Sequence, residues 1–269
     1  MIKYQLINQL KELTKQKHLE LVLRGNIAIE SALSIIPQEK KLLIPEEGGW
    51  IHYKKGPEKL GIQFKEVKCE DAKINLRDLK KKLEKKEFFA FIYETPGGYF
   101  AEEPVEEIYH LCKEHKCLVI LDVSGSIGTS FCNSKFADIL IGSFGRWKPV
   151  NAEVGGFIST NNNDLWEEIK ILEKLDDQES LQKIQDKLNT IQERISYLQN
   201  IKNKVIFDLK DYNIVHKDDF GFVVVVKFSK DDEKEKIVSY CKKNKLPFTE
   251  CPRYIRINQK AISIEIKKL

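Results

Sequence analysis

Short apolar runs alternate with amphipathic stretches along most of this chain. Residues 3–18 space their apolar positions for a basic amphipathic helix. Residues 19–23 then read as a strand ending at Arg24-Gly25-Asn26, and residues 27–36 as an apolar helix. The alternation repeats: strand 41–45 before a loop with Gly48, Gly49 and Trp50; strand 63–68 before helix 76–85; strand 88–93 before helix 105–114; strand 118–123; strand 137–142; and short strand 156–159. Strands that alternate with helices predict an α/β fold, a mostly parallel sheet with helices on both faces.

Beyond Asn161-Asn162-Asn163 the period changes. Leu181, Ile184, Leu188, Ile191, Ile195, Leu198, Ile201 and Val205 fall at three- and four-residue steps, which predicts one long helix over 181–205. Its stripe packs along a domain or meets a partner helix. An apolar strand over 220–228, a charged helix over 232–244 and strands over 254–257 and 261–266 complete a small α+β unit. The pattern divides the chain into a large α/β domain (1–160), a connecting helix region (161–210) and a small C-terminal α+β domain (211–269).

Composition changes this picture little. With 269 residues, 42% hydrophobic and 32% charged, the chain can bury a full core. A net charge of +4 from 45 basic and 41 acidic residues points to no polyanionic partner, so nucleic acid is not expected. A membrane helix is not expected either, because no run of 18 apolar residues occurs. The first residues lack a signal-peptide core, and six scattered cysteines suit a reducing compartment, so a cytoplasmic location is expected. His110, Cys112, His115 and Cys117 cluster in sequence. They lie where a helix end runs into a strand, so Cys112 and Cys117 read as core residues and no metal site is expected.

The chemistry collects at strand ends, where open α/β sheets bind ligands. Asp122 closes one apolar run; Ser143 closes another and is followed five residues later by Lys148, then by Gly155-Gly156. A lysine fixed between two strands, with glycine room beside it, suits a Schiff-base role. Gly25, Asn26 and Ile27 open a helix, and the backbone N–H groups there make a phosphate seat. Trp50 is placed to stack on a flat ring or to fill core; Ser124 could hydrogen-bond near Asp122. Tyr93 and Tyr99 flank Pro96-Gly97-Gly98 and line either a pocket or the core. Arg256 sits in an alternating stretch, Arg253 in a loop, and either suits a carboxylate.

This order of features resembles the fold type I pyridoxal phosphate enzymes of the aspartate aminotransferase superfamily, and locally the DegT/StrS-type aminotransferases. Ser143-Phe144-Gly145-Arg146-Trp147-Lys148 with Gly155-Gly156 is similar to that family's lysine segment, and Gly25-Asn26-Ile27-Ala28 stands at its phosphate turn. The resemblance covers about residues 20–160. Asn26 replaces the usual Thr or Ser, and Val-Ser-Gly follows Asp122 where the family has Ala-Ala-Gln or Ala-His types. It implies pyridoxal 5'-phosphate held as an imine on Lys148, with Asp122 on the pyridine nitrogen and Arg256 and Tyr99 toward substrate. It also implies an aminotransferase acting on a small amine or amino acid, working as a homodimer. Two rivals stand beside it. One is another branch on the same fold, with cysteine-sulfur or aminoacyl-tRNA chemistry; the other is a catalytically reduced partner subunit.

Overall fold

In the computed structural model, which describes residues 2–132 and 135–269, the chain begins with α1 (Ile2–Thr14), β1 (His18–Val22), α2 (Gly25–Leu33), β2 (Lys41–Pro45), α3 (His52–Leu60) and β3 (Phe64–Val67). A small hairpin, β4 (Cys69–Glu70) and β5 (Lys73–Ile74), leads to α4 (Leu76–Leu83), β6 (Phe88–Glu94), α5 (Val105–Glu114), β7 (Leu118–Asp122), β8 (Ile139–Ser143) and β9 (Gly156–Thr160). Then come α6 (Asn163–Glu168), α7 (Gln178–Asn189), α8 (Ile191–Asp208), β10 (Asn213–Val215), β11 (Val224–Lys227), α9 (Asp231–Lys243), β12 (Phe248–Cys251), β13 (Ala261–Ile264) and a closing 3-10 turn, Ile266–Lys268.

The large sheet has the strand order β1-β9-β8-β7-β6-β2-β3. From β8 to β3 every pairing is parallel. β9 runs against β8 and β1 against β9, so β1 points the same way as the parallel group. The carboxyl ends of β1, β6, β7 and β8 therefore gather at one edge. Side chains alternate between faces. Leu43, Phe91, Val119, Leu121 and Leu140 pack with α1, α4, α5 and α7 in one core layer. Leu42, Ile44, Ile92, Ile120, Ile139 and Ile141 pack with α2, α3 and α6 in the other. The expected α/β fold, mostly parallel with helices on both faces, is what the chain forms.

The small sheet, β10-β11-β13-β12, is antiparallel and packs on α8 and α9 through Leu198, Val205, Val224, Val226, Ile237 and Ile264. Tyr99, Phe100, Val223, Val225 and Ile257 form a core that joins it to the turn after β6.

Several expected elements differ. The helix over 181–205 is two helices, α7 and α8, meeting at Thr190, whose φ of −108° and ψ of 14° break the helical geometry. The apolar stripe survives because Leu188 and Ile191 both stay buried across the join. Residues 254–257 are a turn rather than a strand: Arg256 N–H donates to the Arg253 carbonyl at 2.9 Å, and the edge strand is β12. The strand over 220–228 is confined to β11. Helix α3 was not expected, since Gly56 and Pro57 lower its helix propensity. Cys112 and Cys117 are both fully buried, as their context suggested.

Candidate active site

The alternation that sends Ile92, Ile120 and Ile141 to the α2–α3 face puts Glu94, Asp122 and Ser143 on that same face two residues later, at the strand ends. Asp122 is buried, and both carboxylate oxygens are fixed: Oδ1 accepts from Ser124 N–H at 2.9 Å and Oδ2 from the Tyr53 hydroxyl of α3 at 2.8 Å. Beside it, a cavity of about 370 Å³ is lined by Gly25, Asn26, Trp50, Asp122, Ser143 and Lys148 among others. That is the size of a small-ligand site.

Lys148 lies on the loop between β8 and β9. Phe144 N–H donates to the Gly155 carbonyl (3.1 Å) and Ala152 N–H to that of Phe144 (3.0 Å), so the loop is tied at its base. Trp147 takes a left-handed φ of 65° and donates its N–H to Asn151 Oδ1 at 2.9 Å. Gly155 N–H reaches back to the Leu23 carbonyl at 3.0 Å, which pins the lysine loop to the start of α2. Two segments far apart in sequence are thereby held in one wall.

The first turn of α2 carries no side-chain cap, and its residues Gly25 and Asn26 line the cavity. Helix starts of this kind attract anions. A Cβ at Gly25 would lie 2.6 Å from Ser143 Cβ, so only glycine lets the helix start approach β8 this closely. Asn26 Oδ1 accepts from Trp50 Nε1 at 2.9 Å. Trp50 is 37% exposed at the cavity wall, which removes its reading as core. Ile27 is the expected residue that the geometry does not bring in: its side chain is buried in the helix packing, and its N–H is spent on the Arg24 carbonyl at 3.0 Å.

Burial pulls the Lys148 amine below the ordinary lysine value, against the charges of Glu94 and Asp122, which oppose that fall. Its Nζ donates to the Tyr99 hydroxyl, whose acidity burial and the charges of Glu94 and Asp122 suppress. Glu94 is buried at the end of β6, in register with Asp122 on β7. Burial and the Asp122 charge push it up, the nearby cations hold it back, and it settles at about 7. Tyr99, with a left-handed φ of 68°, is presented by the turn after β6 and lies with its ring 4.7 Å from Lys148 Nζ.

Arg256 differs from its expected role. It is buried and committed to Glu265, with Nε–Oε1 at 2.9 Å and Nη2–Oε2 at 2.5 Å, and Nε also reaches Ser263 Oγ at 3.1 Å. Burial would raise Glu265, but the guanidinium holds it down at about 2. A guanidinium so engaged cannot offer a free fork to a substrate carboxylate. Arg253, Arg256, Lys267 and Lys268 all line the cavity from this side, and the buried lysine among them is Lys267, in the closing 3-10 turn. It is 7% exposed, and its Nζ lies 4.0 Å from the centre of the Tyr99 ring. Burial and then the positive charges of Arg256 and Lys148 hold its amine well below the ordinary value.

Glu94, Tyr53 and Lys267 are the members of the site that sequence reasoning missed. Glu94 carried a signal, a carboxylate at the end of an otherwise apolar strand run. Tyr53 was hidden with its helix, and Lys267 was one lysine among many.

The chain was compared with known proteins. The DegT/DnrJ/EryC1/StrS aminotransferase family model matches residues 60–203, and the MJ1341 family C-terminal domain model matches residues 178–269. A curated relative, the UDP-4-amino-4,6-dideoxy-N-acetyl-beta-L-altrosamine transaminase of Helicobacter pylori, is 34% identical over 70 residues. That match spans 25% of this chain and 19% of the relative, so the chain covers about a fifth of that protein's length. Among solved structures, the Helicobacter pylori aminotransferase PseC superposes with a TM-score of 0.79 at 15% identity, over 98% of this chain and 85% of that one. 3-Amino-5-hydroxybenzoic acid synthase gives 0.79 at 12% identity, over 99% and 85%. Serine palmitoyltransferase from S. paucimobilis gives 0.75 at 13%, over 97% and 71%. At these identities the superpositions show a shared fold.

Proposed function

The chain belongs to the DegT/DnrJ/EryC1/StrS aminotransferase family, and from that premise we propose that it is a pyridoxal phosphate-dependent, aminotransferase-like enzyme acting on a small amine or amino acid. The observation that carries this reading is the convergence of Lys148, the Asp122 carboxylate and the uncapped start of α2 on one cavity. These residues fit the cofactor's three chemical needs: an amine to attach it, a carboxylate for its ring nitrogen, and a seat for its phosphate. The close approach of Gly25 to Ser143, which a Cβ would block, supports the reading of that seat.

When bound, pyridoxal phosphate supplies an electron sink for the bond broken at the amine-bearing carbon. The rest is the work of this chain. Asp122, held by Ser124 and Tyr53, would keep a proton on the ring nitrogen. Gly25, Asn26 and Ser143 would hold the phosphate, and Trp50 would cover a ring face. Lys148 Nζ, its basicity lowered by burial, would take up and return a proton at the substrate carbon. Lys267 would draw the substrate's anionic group toward Tyr99, while Arg256 acts through Glu265 to stiffen that wall.

In the same reading the chain works in the cytoplasm as a homodimer, organised as residues 1–160, 161–210 and 211–269. Among the described residues no helix is long and apolar enough to cross a membrane. The test is direct. Protein mixed with pyridoxal phosphate should gain a visible absorption band, and borohydride should then fix one adduct on the Lys148 peptide. Lys148→Ala should abolish both. Equal labelling of wild type and variant would sink the proposal.

A further inference from the structure

Helix α3 carries Tyr53, one of the two donors that fix Asp122, yet it is poorly equipped to hold its own place. It is nine residues long, contains Gly56 and Pro57, and starts without a side-chain cap. A helix this short with two poor formers is unstable alone, so neighbours must set its position. One side chain of α2 grips it at both ends. Glu30 is buried, its Oε1 lies 2.9 Å from His52 Nε2 in the first turn of α3, and its Oε2 accepts from Lys59 Nζ in the last turn at 2.7 Å. His52, Gly56 and Lys59 follow at steps of four and three, which puts them on one helix face. Gly56 keeps that face low: a Cβ there would lie 3.3 Å from His52 Cδ2 and 3.5 Å from Leu33 Cδ1 of α2. The other charged tie of α3, Lys54 to Glu66 at 2.6 Å, lies toward solvent, where such pairs hold weakly.

We propose that Glu30 is a positioning residue of the site, clipping α3 onto α2 so that Tyr53 stays on Asp122. The proposal rests on the reading of Asp122 as the partner of the cofactor's ring nitrogen. The path is short. Glu30 holds His52, and the next residue, Tyr53, donates its hydroxyl to Asp122 Oδ2 at 2.8 Å. With Oδ1 on the Ser124 N–H as well, the carboxylate is held at both oxygens. Held at one only, it could turn about its broad terminal torsion. A second bond just ahead of α3, Trp50 Nε1 to Asn26 Oδ1 at 2.9 Å, joins the same two segments. The helix whose start faces Ser143 thus also sets the helix that orients Asp122, and one buried carboxylate ties the two ends of the cavity together.

Two readouts separate this role from plain stability. The first needs no cofactor. The full chain is treated with tetranitromethane, and nitration of Tyr53 and Tyr93 is followed by peptide mass spectrometry. Both tyrosines are fully buried, so both should react slowly in the wild type. Glu30→Ala should speed nitration of Tyr53 by about tenfold, through local opening of α3, and leave Tyr93 on β6 unchanged. His52→Leu and Lys59→Met each remove one end of the grip and should give smaller rises; they decide the matter if Glu30→Ala does not fold. No rise at Tyr53, or an equal rise at Tyr93, overturns the proposal. The second readout is pyridoxal phosphate affinity, titrated by the visible band. Tyr53→Phe and Glu30→Ala should each weaken it by about tenfold, and the double variant should be little weaker than either alone. Losses that multiply would mean that Glu30 does not act through Tyr53, and would also overturn it. A wild-type chain that takes up no pyridoxal phosphate sinks the proposed function, while nitration still decides whether Glu30 holds Tyr53 on Asp122.

Discussion

Arg256 and Glu265 show how a single residue's role is set by its partner rather than by its type. Their ion pair is fully buried and has hydrogen bonds at both nitrogens. Removing one member leaves the other charged and unpaired, which typically costs on the order of 3–5 kcal/mol. Glu265→Gln should therefore lower the urea midpoint at neutral pH substantially, and an unchanged midpoint would refute the assignment. The pH dependence has a definite sign. Glu265 is held at about 2 in the folded chain, below its unfolded value, so its contribution is present above the ordinary glutamate range and fades as pH falls toward 2. The variant should lose that acid-side slope. The alternating stretch around Arg256 was read as a strand and is a turn, and its partner nine positions on was not legible, because that turn and a strand lie between them. Asp122 and Ser143 stood out for a simpler reason, since each closes a buried strand, and Lys148 stood out by following Ser143 at five residues, ahead of Gly155-Gly156.

At the scale of elements, the proposed phosphate seat depends on the meeting of α2 with β8. Gly25→Ala would push a Cβ to 2.6 Å from Ser143 Cβ, and something must move. We expect the fold to survive and pyridoxal phosphate affinity to fall by about tenfold or more, near 1.4 kcal/mol, measured by titrating the visible band. Affinity equal to wild type would mean that the seat lies elsewhere. Strands buried on both faces declared themselves as continuous apolar runs, so β2, β6, β7 and β8 were legible almost to the residue. The short hairpin β4–β5, the edge strands β10 and β12, and α3 were not. They are short or carry poor helix formers, and they hold their shape through tertiary packing that no local pattern encodes. The missing α3 concealed Tyr53, and with it one of the two bonds that orient Asp122.

For the whole molecule, the proposed homodimer carries its own test. Trp50 and Trp147 border the cavity and are 37% and 42% exposed, a large aromatic area to leave in water beside a site that must exclude it. Light scattering should give twice the chain mass at micromolar concentration, and Trp50→Asp with Trp147→Asp should return the monomer. A wild-type monomer that still takes up pyridoxal phosphate would overturn the dimer. The edge of the large sheet has a further consequence. β1 enters the sheet only by pairing with β9, so residues 18–22 must find residues 156–160 across most of the domain's length. That is the slowest kind of contact for a chain to make. Gly25 and Ser143 face each other only once this seam has closed. A ligand held between them binds the zipped sheet and ignores the open one, so occupancy acts as a clasp on the last seam to form.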